Sequence, residues 1–258
     1  MSGLTLSEIH AVLTSGFATI AGTVMAAYIS FGVSPAHLLS ASVMSAPAAL
    51  AAAKLLLPET EVKSENVEAV VVASAVDEEN NNNLLNAATE GAASAANLVL
   101  NITAIVVAFI SFVAFLNALV SFFGGLIGFP EVTFEMLLGY GFMPLAFIMG
   151  VEWSECHLVG TLIGIKTVAN EFIAYRRLGL LIEEGLLSPR ASIICTYALC
   201  GYANPGSVGI QLACFSSLCP ERKKDVASVI FRAFVAGSFA CFFTACFAGA
   251  LLSSIEEQ

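Results

Sequence analysis

Between Glu8 and Lys54 there is no charged residue, and the same holds from Gly91 to Pro130 and from Ala191 to Pro220. Each stretch reaches the roughly 20 residues a helix needs to cross ~30 Å of hydrocarbon. A chain carrying three such stretches has no soluble way to cover them. Its composition agrees: 58% of the 258 residues are hydrophobic and 12% charged, against about 25% charged in an average soluble domain. The predicted class is therefore all-α and polytopic in a membrane. The first ten residues lack the basic region of a secretory signal, so insertion is expected and not secretion.

The net charge of −10 does not point to a basic partner, because seven acids fall between Glu59 and Glu79 and mark a solvated loop. The seven cysteines form no C-x-x-C pair and mostly lie in apolar runs, where Cys packs as a small hydrophobe. No disulfide is assigned. Neither is a metal cluster, since His10, His37 and His157 do not pair at metal-ligand spacing. No nucleophile–base pair stands out, which argues against an enzyme.

Along the chain, Phe31-Gly32-Val33-Ser34-Pro35 divides the first run into spans of about 9–31 and 35–56. Ser34 is expected to cap the second, Pro35 suits its first turn, and Pro47 is expected to kink it. Residues 1–57 thus read as two transmembrane helices, and 58–83 as an acidic polar loop. The segment 84–130 holds one long helix, ~60 Å if it runs to Phe123, suited to a fixed scaffold.

A second half, 131–258, begins with an interfacial or short helix over about 134–151. Residues 152–180 are apolar enough to enter a membrane yet carry Glu152, Glu155, Lys166, Asn170, Glu171, Arg176 and Arg177. A re-entrant hairpin with its tip against protein fits them better than a lipid-facing span. Ser188-Pro189 opens a span to about Leu218, and the last runs from about 225 to 252. Basic residues divide between Arg222-Lys223-Lys224 and Arg176, Arg177 and Arg190, which leaves the orientation open.

Two mid-span segments resemble each other, Gly16-Phe17-Ala18-Thr19-Ile20-Ala21-Gly22 and Gly201-Tyr202-Ala203-Asn204-Pro205-Gly206-Ser207. Lying in oppositely directed spans, they carry the mark of an inverted-repeat transporter whose helices unwind near the midplane. Pro205 deletes a donor, so the carbonyls of residues 199–201 lose partners. Asn204 and Ser207, three apart, can face a polyhydroxylated ligand, or can simply repair the proline break. Thr19 can face the same cavity or bond back to its own preceding turn. An ionised Glu171 at depth costs at least ~2.5 kcal/mol on insertion scales, so it faces a pathway or pairs with Arg176 or Lys166. Asn170 either fixes the hairpin tip or binds the ligand.

The strings GFATIAGTVMAAYISFGV (16–33), SASVMSAPAALAAAKL (40–55), LLNAATEGA (84–92), PLAFIMGVEW (144–153), NEFIAY (170–175) and YALCGYANPGSVGI (197–210) together resemble the concentrative nucleoside transporter family, over essentially all of the chain. The resemblance implies sodium-coupled nucleoside symport at the plasma membrane, with a proton as the alternative coupling ion. It also implies a homotrimer in the lipid bilayer, with no organic cofactor and no nucleic-acid partner. It assigns ribose binding to Glu171, Asn204 and Ser207. Tyr202, where the family commonly has phenylalanine, and Val24 become apolar substrate contacts. Thr19 and Ile20 become the sodium pair, through a hydroxyl and a backbone carbonyl. A further hairpin with a Gly-Gln-x-Glu type motif, which reads the nucleobase, is expected upstream of residue 1, so base selectivity is not legible. The rival reading is a non-transporting membrane subunit or receptor-like protein with a structural hairpin.

Overall fold

A computed structural model describes residues 3–60 and 84–256. The acidic loop expected at 58–83 lies, from residue 61 on, outside the described residues. The chain divides into two compact units, Met1–Thr60 with Phe112–Gln258, and Glu61–Ser111. The described part of the second unit is helix throughout, as the leading part of a long helix.

Among the described residues there are ten α-helices and no strand: α1 Leu6–Ala18, α2 Gly22–Ser30, α3 Pro35–Leu56, α4 Leu84–Leu126, α5 Phe134–Ile148, α6 Cys156–Val168, α7 Glu171–Glu183, α8 Pro189–Leu199, α9 Pro205–Leu218 and α10 Lys223–Glu256. The all-α expectation holds. The predicted spans at 9–31 and 189–218 are each two helices, broken at the two similar segments. The hairpin is α6 and α7, turning at Ala169-Asn170. Helix α5, 15 residues long, measures about 22 Å at 1.5 Å per residue, too short to cross hydrocarbon upright.

Local chemistry explains most boundaries. Thr5 starts α1 with a reciprocal capping box: its hydroxyl accepts from Glu8 N at 3.1 Å and its amide donates to Glu8 Oε2 at 2.9 Å. Ser188 accepts from Ala191 N at 3.2 Å ahead of Pro189. Ser34 is a correction, since it stands at the N-cap of α3 but makes no side-chain cap bond there. Pro35 alone, with φ preset and no amide to satisfy, supplies that start. Pro47 lies inside an α3 that is helical throughout.

Helices α3 and the stretch Pro220–Leu252 are long and apolar enough to cross a membrane. Helix α10 is buried along Val226, Ala233, Ala236, Ala240, Cys241 and Ala245, while Phe231, Phe239, Phe243, Phe247 and Leu251 are exposed. An outward apolar stripe of this kind is stable only against lipid or another apolar surface. Facing inward, α10 packs on α1, α3 and α8. Its Gly237 makes room for Phe17, whose Cβ would lie 2.5 Å from any Cβ placed there. Helices α5 and α6 approach in the same way, for a Cβ at Gly160 would meet the Gly139 carbonyl oxygen at 2.5 Å. Close approach through small residues is how membrane helices gain packing energy where burial from water contributes nothing.

Polar side chains tie the helix ends. Lys54 Nζ donates to Ser7 Oγ at 2.9 Å and lies 3.2 Å from Glu59 Oε2, which also accepts from Thr5 Oγ1 at 2.7 Å. These bonds join the start of α1 to the end of α3. Asn117 on α4 donates to Glu135 Oε1 at 3.3 Å, and Arg177 on α7 pairs with the other oxygen of the same carboxylate.

Candidate functional site

Three breaks position the site. At the first, Thr19 and Ala21 are extended, so the helix stops at Ala18 and restarts at Gly22. Val24 and Met25 both donate to Ala21 O, while no backbone amide of the described residues bonds the Ile20 carbonyl. At the second, Cys200 ends α8 and Gly201 takes φ +88°. Only glycine adopts that conformation freely. Asn204 then caps α9, its Oδ1 accepting from Ser207 N at 2.9 Å, with Pro205 in the first turn. At the hairpin tip, Asn170 caps α7 by accepting from Ile173 N at 3.1 Å.

The fold brings these breaks together. A Cβ at Gly201 would lie 2.5 Å from the Phe17 carbonyl oxygen and 2.8 Å from that of Ala18, so the second break sits directly against the end of α1. Cys241 on α10 donates its thiol to Cys200 O at 2.5 Å and lies 3.7 Å from Ala18 O, joining both breaks. The tip of the hairpin meets the second break through Asn204 Nδ2, which donates to Glu171 Oε2 at 2.9 Å and to Tyr202 O at 3.3 Å. Glu171 in the first turn of α7 and Asn204 at the cap of α9 thus face each other across two helix N-termini.

Glu171, Asn204 and Ser207 are 5%, 3% and 3% exposed. Neither Lys166 nor Arg176 forms an ion pair with Glu171 among the described residues. The Glu171 carboxylate also faces its own backbone amide and the buried Tyr28 hydroxyl, whose geometry falls short of a hydrogen bond. Tyr28 is fixed by stacking on Tyr175, with ring centroids 4.2 Å apart. Asn170 is also buried, with its amide nitrogen unpartnered. A phenol and an amide N–H with spare capacity beside a buried carboxylate form a polar cluster that can take further partners.

For Asn204 and Thr19 the local readings are observed, and each leaves atoms over. Asn204 repairs the proline break with its oxygen and reaches Glu171 with its nitrogen. The Thr19 hydroxyl donates back to Ser15 O at 2.8 Å, which leaves its lone pairs and the adjacent Ile20 carbonyl as hard oxygen donors. Tyr202 is half-buried, with its ring 6.1 Å from that of Phe17. Val24, also half-buried, lies in the first turn of α2, one turn before Tyr28.

Sequence reasoning missed the role of Lys166. It is 1% exposed, and its ammonium donates to Ala198 O at 2.9 Å and Cys200 O at 3.1 Å. These belong to the end of α8, where carbonyls were expected to lose partners. A lone lysine in an apolar hairpin arm and a set of orphaned carbonyls were both visible in the sequence, but not their meeting. Tyr28 and Gln211 were missed as well. Gln211 had one signal, its spacing of seven from Asn204 on the same helix face.

A family model described as Na+ dependent nucleoside transporter C-terminus matches residues 37–249. Solute carrier family 28 member 3 of Homo sapiens is 48% identical over 264 residues, covering 97% of this chain and 38% of the relative. Sodium/nucleoside cotransporter 1 of Oryctolagus cuniculus is 43% identical over 265 residues, covering 97% of this chain and 40% of the relative. The chain thus spans about two fifths of the length of these curated relatives. The solved structure of CNTnw in an inward-facing substrate-bound state is similar with a TM-score of 0.86 at 37% identity, over 95% of this chain and 57% of that one. A CNTnw variant in a second intermediate state is similar with a TM-score of 0.90 at 37% identity, over 97% and 60%. With a family match across most of its length and relatives this similar, the chain belongs to the concentrative, Na+-dependent nucleoside transporter family.

Proposed function

We propose that this chain forms the ribose-binding and part of the sodium-binding wall of a sodium-coupled nucleoside symporter. The observation that carries the reading is the Glu171–Asn204 pair, buried where the hairpin tip meets a broken helix. An anionic acceptor beside an amide donor suits vicinal hydroxyls, which donate and accept at once. Ser207 adds a hydroxyl one turn along α9, Asn170 a free amide N–H, and Tyr202 and Val24 apolar surface. Sodium takes oxygen ligands, which the Thr19 hydroxyl and Ile20 carbonyl supply. No feature of the described residues favours an enzyme or a passive subunit over a transporter.

Coupling requires that each ligand order a part of the site the other uses. One Na+ crossing about 60 mV gains ~1.4 kcal/mol, and a tenfold gradient gives about as much again. The ceiling is roughly a hundredfold nucleoside accumulation per ion. The working protein is proposed as a plasma-membrane homotrimer in which α4 belongs to the fixed scaffold. The test is uptake of labelled uridine by the full-length protein in liposomes under an imposed sodium gradient. Uptake that rises with sodium supports the reading. Uptake that follows a proton gradient reassigns the ion, and no uptake of any nucleoside refutes transport.

A further inference from the structure

Gln211 lies on α9 four residues after Ser207 and seven after Asn204, so all three share one face of the helix. It is 3% exposed. Its Nε2 donates to the Tyr202 hydroxyl at 3.0 Å, while its Oε1 is buried without a partner. An amide that leaves its acceptor unpaired in an apolar interior is kept at a cost. Space is nevertheless reserved for it, since a Cβ at Gly16 on α1 would stand 2.6 Å from Nε2. The residue it holds is adjacent to the site: the Tyr202 carbonyl accepts from Asn204 Nδ2, the group that also donates to Glu171.

A phenol oxygen that accepts from Nε2 keeps its own proton to give away. Gln211 holds one side of the oxygen, so the free O–H is directed elsewhere. Tyr202 is half-buried, so a ligand in the site can reach its ring edge. A wall that would be apolar with phenylalanine gains one fixed donor. We propose that Gln211 is a positioning residue that aims the Tyr202 hydroxyl at the substrate, so that the site favours nucleosides presenting an acceptor, a ring nitrogen or carbonyl oxygen, to that wall. This rests on the reading of the site as a nucleoside site.

The test compares Tyr202→Phe, Gln211→Leu and the double variant with wild type in the full-length protein, reading both the melting temperature and the Kd of uridine and adenosine at saturating sodium. Tyr202→Phe strands the buried Gln211 amide and lowers the melting temperature, whereas the double change removes both partners and restores it. Affinity behaves differently. All three variants bind at least one of the nucleosides about 3- to 10-fold more weakly, as expected for one lost hydrogen bond, and the double variant stays weak although its stability returns. Should a single variant fail to fold, the double variant carries the comparison. A double variant that regains wild-type affinity together with stability makes the pair structural and overturns the proposal. So does wild-type affinity in the single variants. If wild type binds neither nucleoside, the nucleoside reading falls and this proposal with it; wild-type binding with unaltered variants removes only the pair.

Discussion

Replacing Lys166 by Met tests whether a buried cation holds the second break open. The ammonium is 1% exposed, makes two bonds of 2.9 and 3.1 Å to carbonyls at the end of α8, and lies 5.8 Å from the centroid of the Phe242 ring. Bonds to a charged donor are each worth about 1.5–3 kcal/mol, so about 3–6 kcal/mol of interaction is lost. Against this, Met removes the need to bury a charge, whose effective penalty is several kcal/mol. The deciding quantity is what becomes of the carbonyls. Cys200 O keeps the Cys241 thiol, but Ala198 O has no replacement donor and no water within the membrane to turn to. The net expectation is a loss of about 2–4 kcal/mol, seen as a fall of roughly 5–15 °C in the melting temperature of the purified protein. Nucleoside affinity should fall with it, because the geometry from Cys200 to Asn204 is set by those bonds. Lys166→Gln, which retains a neutral donor, should lie between the two. A Lys166→Met protein that melts at or above the wild-type temperature would refute the reasoning, and would mean that desolvation of the lysine outweighs its bonds.

Glu171→Gln should weaken nucleoside binding about 10- to 100-fold through loss of charge-assisted acceptance, while 2',3'-dideoxy analogues should bind both proteins alike; equal discrimination against the deoxy sugar in the variant would remove Glu171 from the ribose site. Thr19→Ala should raise the half-saturating sodium concentration several-fold and leave uptake at saturating sodium nearly intact, the expected result of losing one oxygen ligand. An unmoved sodium dependence would return Thr19 to its bond with Ser15. Gly201→Ala forces a side chain into φ +88° and within 2.5 Å of the Phe17 carbonyl oxygen, so it should cost about 2–4 kcal/mol, and a melting temperature equal to wild type would show that the junction of the breaks can relax.

The helical elements and the residue types at the breaks follow from the amino-acid order alone. Uncharged stretches of membrane length require helices, because hydrocarbon offers no partner for a free N–H or C=O. Proline at 205 and glycine at 201 mark where one helix must stop, and acids and amides within apolar segments mark where lipid cannot be the neighbour. What that order leaves open is which polar group meets which. Glu171 had charged candidates at Lys166 and Arg176, both near in sequence, yet Lys166 turns to α8 and Glu171 to Asn204, 33 residues away. Thr19 sits in a break that no proline announces, and its place beside the second break depends on Gly201 and Gly237 letting the end of α1 approach. Such meetings are fixed by packing between helices distant in the chain. Periodicity reports only which face of a helix is apolar, and it carries no information on which distant helix that face will meet.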